Sequence, residues 1–168
     1  MSDGTTDRLM TTGLTDEQLR AIGSVASEWA HLEYYVHDGF AAGLKDVYGV
    51  PYQSGRILAA NIRRLPILFK ITEDLGLIRD DRIGAFKSNW DRVNAVTGER
   101  NNVIHGTWHR YIDEPDLMKG RLETTKKPRD LEQKEAREIE WIAKKINLTA
   151  FALHHFFREK PWPSKDHE

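Results

Sequence analysis

Apolar residues recur at alternating spacings of three and four along most of the chain, the rhythm of helices that bury one face. Thr15 followed by Gln18 forms a capping-box pattern that starts the first helix. Leu19, Ile22, Ala26, Trp29, Val36 and Phe40 then make its apolar stripe, and Gly43, Gly49 and Pro51 close it. A second helical region covers about 54–74, with Ile57, Ile62, Leu65, Leu68 and Phe69 as its apolar content. Pro66 removes a backbone donor there, which predicts a kink or two short helices, and Gly76 is the expected stop. A third helix, about 80–105, carries Ile83, Phe86, Trp90, Val93 and Ile104, with Gly106 at the position of a C′ glycine.

The texture then changes. The stretch 107–125 holds Trp108, Tyr111 and Ile112, a polar turn at Asp113-Glu114-Pro115-Asp116, then Leu117 and Leu122 among polar residues. It reads as a β-hairpin or a long ordered loop. Asp130 with Gln133 is a second capping-box pattern, and Leu131, Ile139, Ile142, Ile146, Leu153 and Phe156 carry a final helix to about Glu159, ended by Pro161 and Pro163. The expected fold is all-α: a four-to-five-helix up-and-down bundle with a hairpin or ordered loop inserted between the last two main helices. It forms one domain over 15–160, flanked by a flexible tail at 1–14 and a second tail at 161–168.

Composition fits this picture. The chain has 168 residues, 39 % of them hydrophobic and 30 % charged, with five Trp and six Phe to anchor a core. With no cysteine, disulfides, thiolate metal sites and cysteine nucleophiles are excluded. Residues 1–12 do not read as a signal peptide, and no apolar run reaches the roughly 20 residues of a membrane span, so the expected setting is cytoplasmic with no membrane contact. The formal net charge of −1 supplies no global field for nucleic acid, so any contact with RNA requires a local basic site.

Two helices carry polar residues where the stripe asks for apolar ones. Glu33 falls one step from Trp29 and Val36, and a carboxylate facing a core is costly unless paired. Either the stripe has a wet edge there, or Glu33 orients a cation, for which Arg100 is the first choice. On the third helix the stripe through Phe86, Trp90 and Val93 continues to Thr97, Asn101 and Ile104, which turns Asn101 inward with Arg100 and His105 on its flanks. At about 100° per residue, Arg100 and His105 lie about 140° apart around the axis. The reach of arginine, unwinding at Gly106, or a second chain across a two-fold axis would bring them together; an isologous dimer is the favoured route.

Arginine, asparagine and histidine together suit phosphate chemistry. A guanidinium grips phosphate oxygens in a fixed fork, and an imidazole moves protons near neutral pH. RNA brings its own nucleophile, the 2′-hydroxyl, so a base and a phosphate-stabilising cation suffice to cleave it without a metal or other cofactor. The helix C-terminus favours a protonated His105, which suits an acid as well as a base. The structural alternative is a helix end in which His105 caps carbonyls and Arg100 joins a surface ion pair.

The segment Arg100-Asn101-Asn102-Val103-Ile104-His105-Gly106 resembles the ribonuclease motif of HEPN-domain proteins: an arginine, a polar neighbour, an interval of four residues, and a histidine near a helix end. The resemblance implies a helical bundle that dimerises so that two motifs face one cleft, and a metal-independent endoribonuclease of toxin–antitoxin, defence or RNA-processing type. Arg100 and His105 would then be the catalytic pair, Asn101 the assisting residue, and an antitoxin or regulatory protein a further partner. Other members of the family are non-catalytic dimerisation or interaction modules, so that reading stands as the alternative.

Other groupings are weaker. Trp108, His109 and Arg110 combine aromatic and basic character just after the motif and are candidate RNA contacts, with hairpin packing as the ordinary reading. Lys126, Lys127 and Arg129, like Arg63-Arg64, read as solvated charge. His105 and His109 straddle Gly106, and His154-His155 diverge around their helix, so no metal site is expected among the seven histidines.

Overall fold

The structure is a computed structural model. It describes residues 14–62, 64–111, 114–121, 123–124, 127–128 and 132–163, and side chains outside 107–134. The expected tail at 1–14, apart from Leu14, and the Asp130 cap lie outside the described residues. The protein is mostly helical, with α1 at Asp16–Tyr48, α2 at Tyr52–Asn61, α3 at Leu65–Asp74, α4 at Ile83–Ile104 and α5 at Ala136–Arg158. A 3-10 turn, Asp80–Arg82, leads into α4.

Local chemistry explains most of the boundaries. At the start of α1, the Gln18 N–H donates to Thr15 Oγ1 (3.2 Å) and the Thr15 N–H donates to Gln18 Oε1 (2.8 Å), so the reciprocal box forms. Gly49, at φ +71°, ends α1 by donating its N–H to the Lys45 carbonyl. The second helical region is two helices. Ile62 breaks the first, and Pro66 occupies the opening turn of α3, where its missing N–H costs nothing. Gly76, at φ +58°, turns the chain out of α3.

Between α4 and α5 the described residues include extended segments. The segments β1 (Thr107–Tyr111), β2 (Glu114–Arg121) and β5 (Glu132–Glu135) pair antiparallel in the order β1-β2-β5, while β3 (Glu123–Thr124) pairs with β4 (Lys127–Pro128). The register sets Trp108 opposite Gly120 and Lys119 opposite Gln133. Gln133 therefore belongs to a strand, and α5 begins later than the capping pattern implies, at Ala136. There the Glu138 carboxylate accepts the Glu135 N–H at 2.6 Å.

The chain divides into two compact units, each drawn from separate stretches. The first, Met1–Glu28 with Val96–Lys145, buries Gln18, Ala21, Val25, Val96, Val103, Ile139, Ile142 and Ala143. The second, Trp29–Ala95 with Ile146–Glu168, is a helical bundle. The Phe69 ring stacks on Phe86 and Trp90 with centroids 4.6 and 4.0 Å away, and the Phe86 ring lies 6.0 Å from Phe156. The tail expected from 161 onward starts as packed structure. Lys160 takes a left-handed turn, the Pro161 carbonyl accepts the Arg79 N–H, and Trp162 is buried against Gly43 and stacked on Phe157.

Two stripes depart from their sequence reading. On α1 Trp29, Val36 and Phe40 are buried as expected, but over the first half the buried positions are Gln18, Ala21 and Val25, leaving Leu19 53 % exposed. On α4 the stripe runs Phe86, Val93, Val96 and Val103, a course that passes through Arg100. Asn101 is exposed. The inward polar residue is Arg100, half-buried, whose methylene stem can lie along apolar neighbours while its head stays polar.

Candidate functional site

Arg100 leaves the buried stripe of α4 one turn before the helix ends. Asn101 is its neighbour, and His105 follows Ile104, the last helical residue, at a bend that continues into Gly106. The helix geometry persists as far as the His105 N–H, which donates to the Asn101 carbonyl at 3.0 Å. From these positions the three side chains meet. Arg100 Nη1 donates to Asn101 Oδ1 at 3.0 Å and lies 3.1 Å from His105 Nε2.

This convergence takes place within one chain. Of the three routes the sequence leaves open, the reach of arginine spans the angle, helped by the placement of His105 just past the last helical residue. The two-fold arrangement favoured from spacing is not needed to join the pair. A guanidinium offers donors only, so a hydrogen bond across this 3.1 Å contact requires His105 Nε2 as the acceptor, which assigns the ring proton to Nδ1. Chemically the arrangement holds a basic ring nitrogen beside a permanent cation, with an amide oxygen steering the cation.

Beside the motif, Glu99 Oε1 accepts a hydrogen bond from Lys145 Nζ at 2.8 Å, tying α4 to α5. The second carboxylate oxygen of Glu99 is buried and has no hydrogen-bond partner among the described residues. Spacing gave no signal for this pair, because its members are 46 positions apart. Glu33 belongs to the second unit, where it is half-buried at the margin of the α1 stripe and accepts the Trp29 indole N–H at 2.7 Å. Trp108, His109 and Arg110 occupy successive positions of β1, and their side chains lie outside the described residues.

The second unit also holds a titratable cluster that sequence reading missed. The Tyr52 hydroxyl donates to Asp38, and this bond, followed by burial and the Asp38 charge, pushes the phenol up to about 12. The Arg56 guanidinium lies 4.6 Å from the Tyr34 ring centroid, donates to the Tyr34 carbonyl at 3.2 Å, and sits 4.0 Å from Asp38. Burial holds His37 below the ordinary imidazole range, with Glu33 opposing and Arg56 reinforcing the shift. Spacing hints at the group only through the i, i+4 pairs Glu33–His37 and Tyr34–Asp38 on α1. Between α3 and α4, a cleft of about 360 Å³ is walled by Phe69, Phe86 and Trp90, and its lysines, Lys70 and Lys87, are engaged by Glu73 and Asp74.

No protein-family model, curated protein or solved structure matches this chain. No helix among the described residues is long and apolar enough to cross a membrane, and no group of three or more His, Asp or Glu gathers there as a metal cluster would.

Proposed function

We propose that the protein is a metal-independent endoribonuclease of HEPN type, acting in the cytoplasm as a toxin, defence or RNA-processing factor and working as a homodimer. The observation that carries the reading is the meeting of Arg100, Asn101 and His105 at hydrogen-bond distance, at the end of a helix and open to solvent. In this mechanism His105 Nε2 takes the proton of a ribose 2′-hydroxyl. The 2′-oxygen forms a bond to the adjacent phosphorus, the bond from phosphorus to the 5′-oxygen breaks, and the departing oxygen takes up a proton from the imidazolium or from water. Arg100 stabilises the charge that gathers on the crowded phosphate, and Asn101 holds the guanidinium in line. No water is consumed, and the products are a 2′,3′-cyclic phosphate and a 5′-hydroxyl. A metal is unnecessary because the nucleophile is part of the substrate.

Incubation with single-stranded RNA in EDTA tests the proposal. Cleavage to cyclic-phosphate ends is expected, with no cutting of DNA, which lacks the 2′-hydroxyl. Arg100→Ala and His105→Ala should each lower the rate by about 100-fold or more. Full activity in both variants would refute the assignment. A stable dimer that leaves RNA intact would favour the non-catalytic interaction module.

A further inference from the structure

The contact that joins the pair also obstructs it. Arg100 Nη1 carries two hydrogens, and two acceptors lie on it, Asn101 Oδ1 at 3.0 Å and His105 Nε2 at 3.1 Å. The ring nitrogen that would accept a proton is therefore covered by a donor. We propose that Arg100 caps Nε2 of His105 while no anion is seated, and that a phosphate oxyanion opens the cap by drawing the guanidinium onto itself.

The exchange is favoured by acceptor strength. A guanidinium is drawn to an anionic oxygen by opposite charge as well as by the hydrogen bond, and its fork matches two phosphate oxygens. The neutral imidazole nitrogen is the weaker competitor, and the exposed position of His105 lets an anion approach without rearranging the core. Asn101 Oδ1 keeps its hold on the guanidinium while Arg100 turns from the ring toward the anion. The cap also selects a tautomer. By holding Nε2 as an acceptor it keeps the ring proton on Nδ1 for as long as no anion is seated. Arg100 thus acts on His105 as a positioning residue before it acts on phosphate. The catalytic consequence, a base revealed only when a phosphodiester is in place, rests on the ribonuclease reading; the cap itself rests on the three side chains alone.

The imidazole nitrogens report on this directly. In the full-length 15N-labelled protein, long-range 1H–15N correlations at a pH well above the ordinary imidazole value of about 6.5 identify the tautomer. The His105 signals are assigned by their loss in His105→Gln. The ligand-free protein should show His105 protonated at Nδ1 and bare at Nε2. Adding inorganic phosphate, or substituting Arg100→Gln, should move the ring toward protonation at Nε2, whereas sodium chloride at matched ionic strength should not. A ring already protonated at Nε2 in the ligand-free protein would overturn the cap, as would equal responses to chloride and phosphate. The phosphate titration uses the unaltered chain, so it decides the matter even if Arg100→Gln fails to fold. A protein that shows the cap but cleaves no RNA would refute the ribonuclease reading alone. One that cleaves RNA through Arg100 and His105 without the tautomer bias would refute the cap alone.

Discussion

Gly39 and Gly23 sit sixteen residues apart on α1, and replacing each with alanine should move stability in opposite directions. Alanine is favoured over glycine inside a helix by roughly 0.5–1 kcal/mol because less backbone freedom is lost on folding. At Gly23 nothing lies within 4 Å of an added Cβ, so that gain should appear in full. At Gly39 the Cβ would stand 2.4, 2.5 and 2.6 Å from three carbons of the Phe157 ring, far inside contact distance. The ring has little room to withdraw, since it stacks on Trp162 at 5.7 Å and meets Phe156 edge-on at 5.4 Å. Overpacking of this kind costs about 1–3 kcal/mol, which outweighs the helix gain and leaves Gly39→Ala less stable by about 1–2 kcal/mol. For a chain of this size each kcal/mol shifts Tm by about 2–4 °C, so calorimetry should place the two variants on opposite sides of the parent. In a Phe157→Leu background the penalty of Gly39→Ala should fall by at least half, because the obstructing ring is gone. A Gly39→Ala protein that melts as high as Gly23→Ala would show that α1 and Phe157 are not in contact.

Other expectations follow from the second unit. Trp162→Ala should cost about 3–5 kcal/mol in chemical denaturation, since the indole fills the space over Gly43 and backs Phe157. The Tyr52 phenol titrates near 12 in the folded chain against 10.0 in its ordinary state, so its contribution is complete below pH 10 and disappears as pH rises toward 12. Tyr52→Phe should lower stability at neutral pH by about 1 kcal/mol and flatten that alkaline loss, read from melts across the range. His37 is depressed below 6.5, so the fold favours the neutral ring: its contribution is complete above pH 6.5 and is lost on acidification toward the lower folded value. His37→Gln should remove that acid sensitivity, and an unchanged profile would show that burial does not hold the ring neutral.

What could be read from the sequence was mainly what local chemistry decides. The Thr15–Gln18 box, the interruption around Pro66 and the turn at Gly76 each depend on a few adjacent residues, and each is present. The phase of the stripes was harder. Gln18 is buried because its amide completes the cap, so a reading by hydrophobicity selects Leu19, which faces outward. On α4 the same habit selects Asn101 and passes over Arg100, since a charged residue with a long apolar stem does not look like an inward position. The meeting of Arg100 with His105 could not be decided by angles around an axis, because the length of the arginine side chain overrides them. Pairs such as Glu99–Lys145 and Tyr52–Asp38 depend on how helices pack, and nothing in residue spacing encodes that.

Neither unit is continuous in sequence, and this has a consequence for synthesis on the ribosome. The second unit needs Ile146–Glu168 to close over Trp29–Ala95, yet the intervening Val96–Lys145 must be made first. Its early helices therefore emerge without the residues of α5 that pack on them, and Phe86 lacks its neighbour Phe156 until that residue has been translated. During that interval the nascent chain is open to chaperones and to aggregation, and closing so long a loop slows the final step. Ribosome-bound chains stalled before Phe156 should accordingly be far more sensitive to protease than chains released after Trp162.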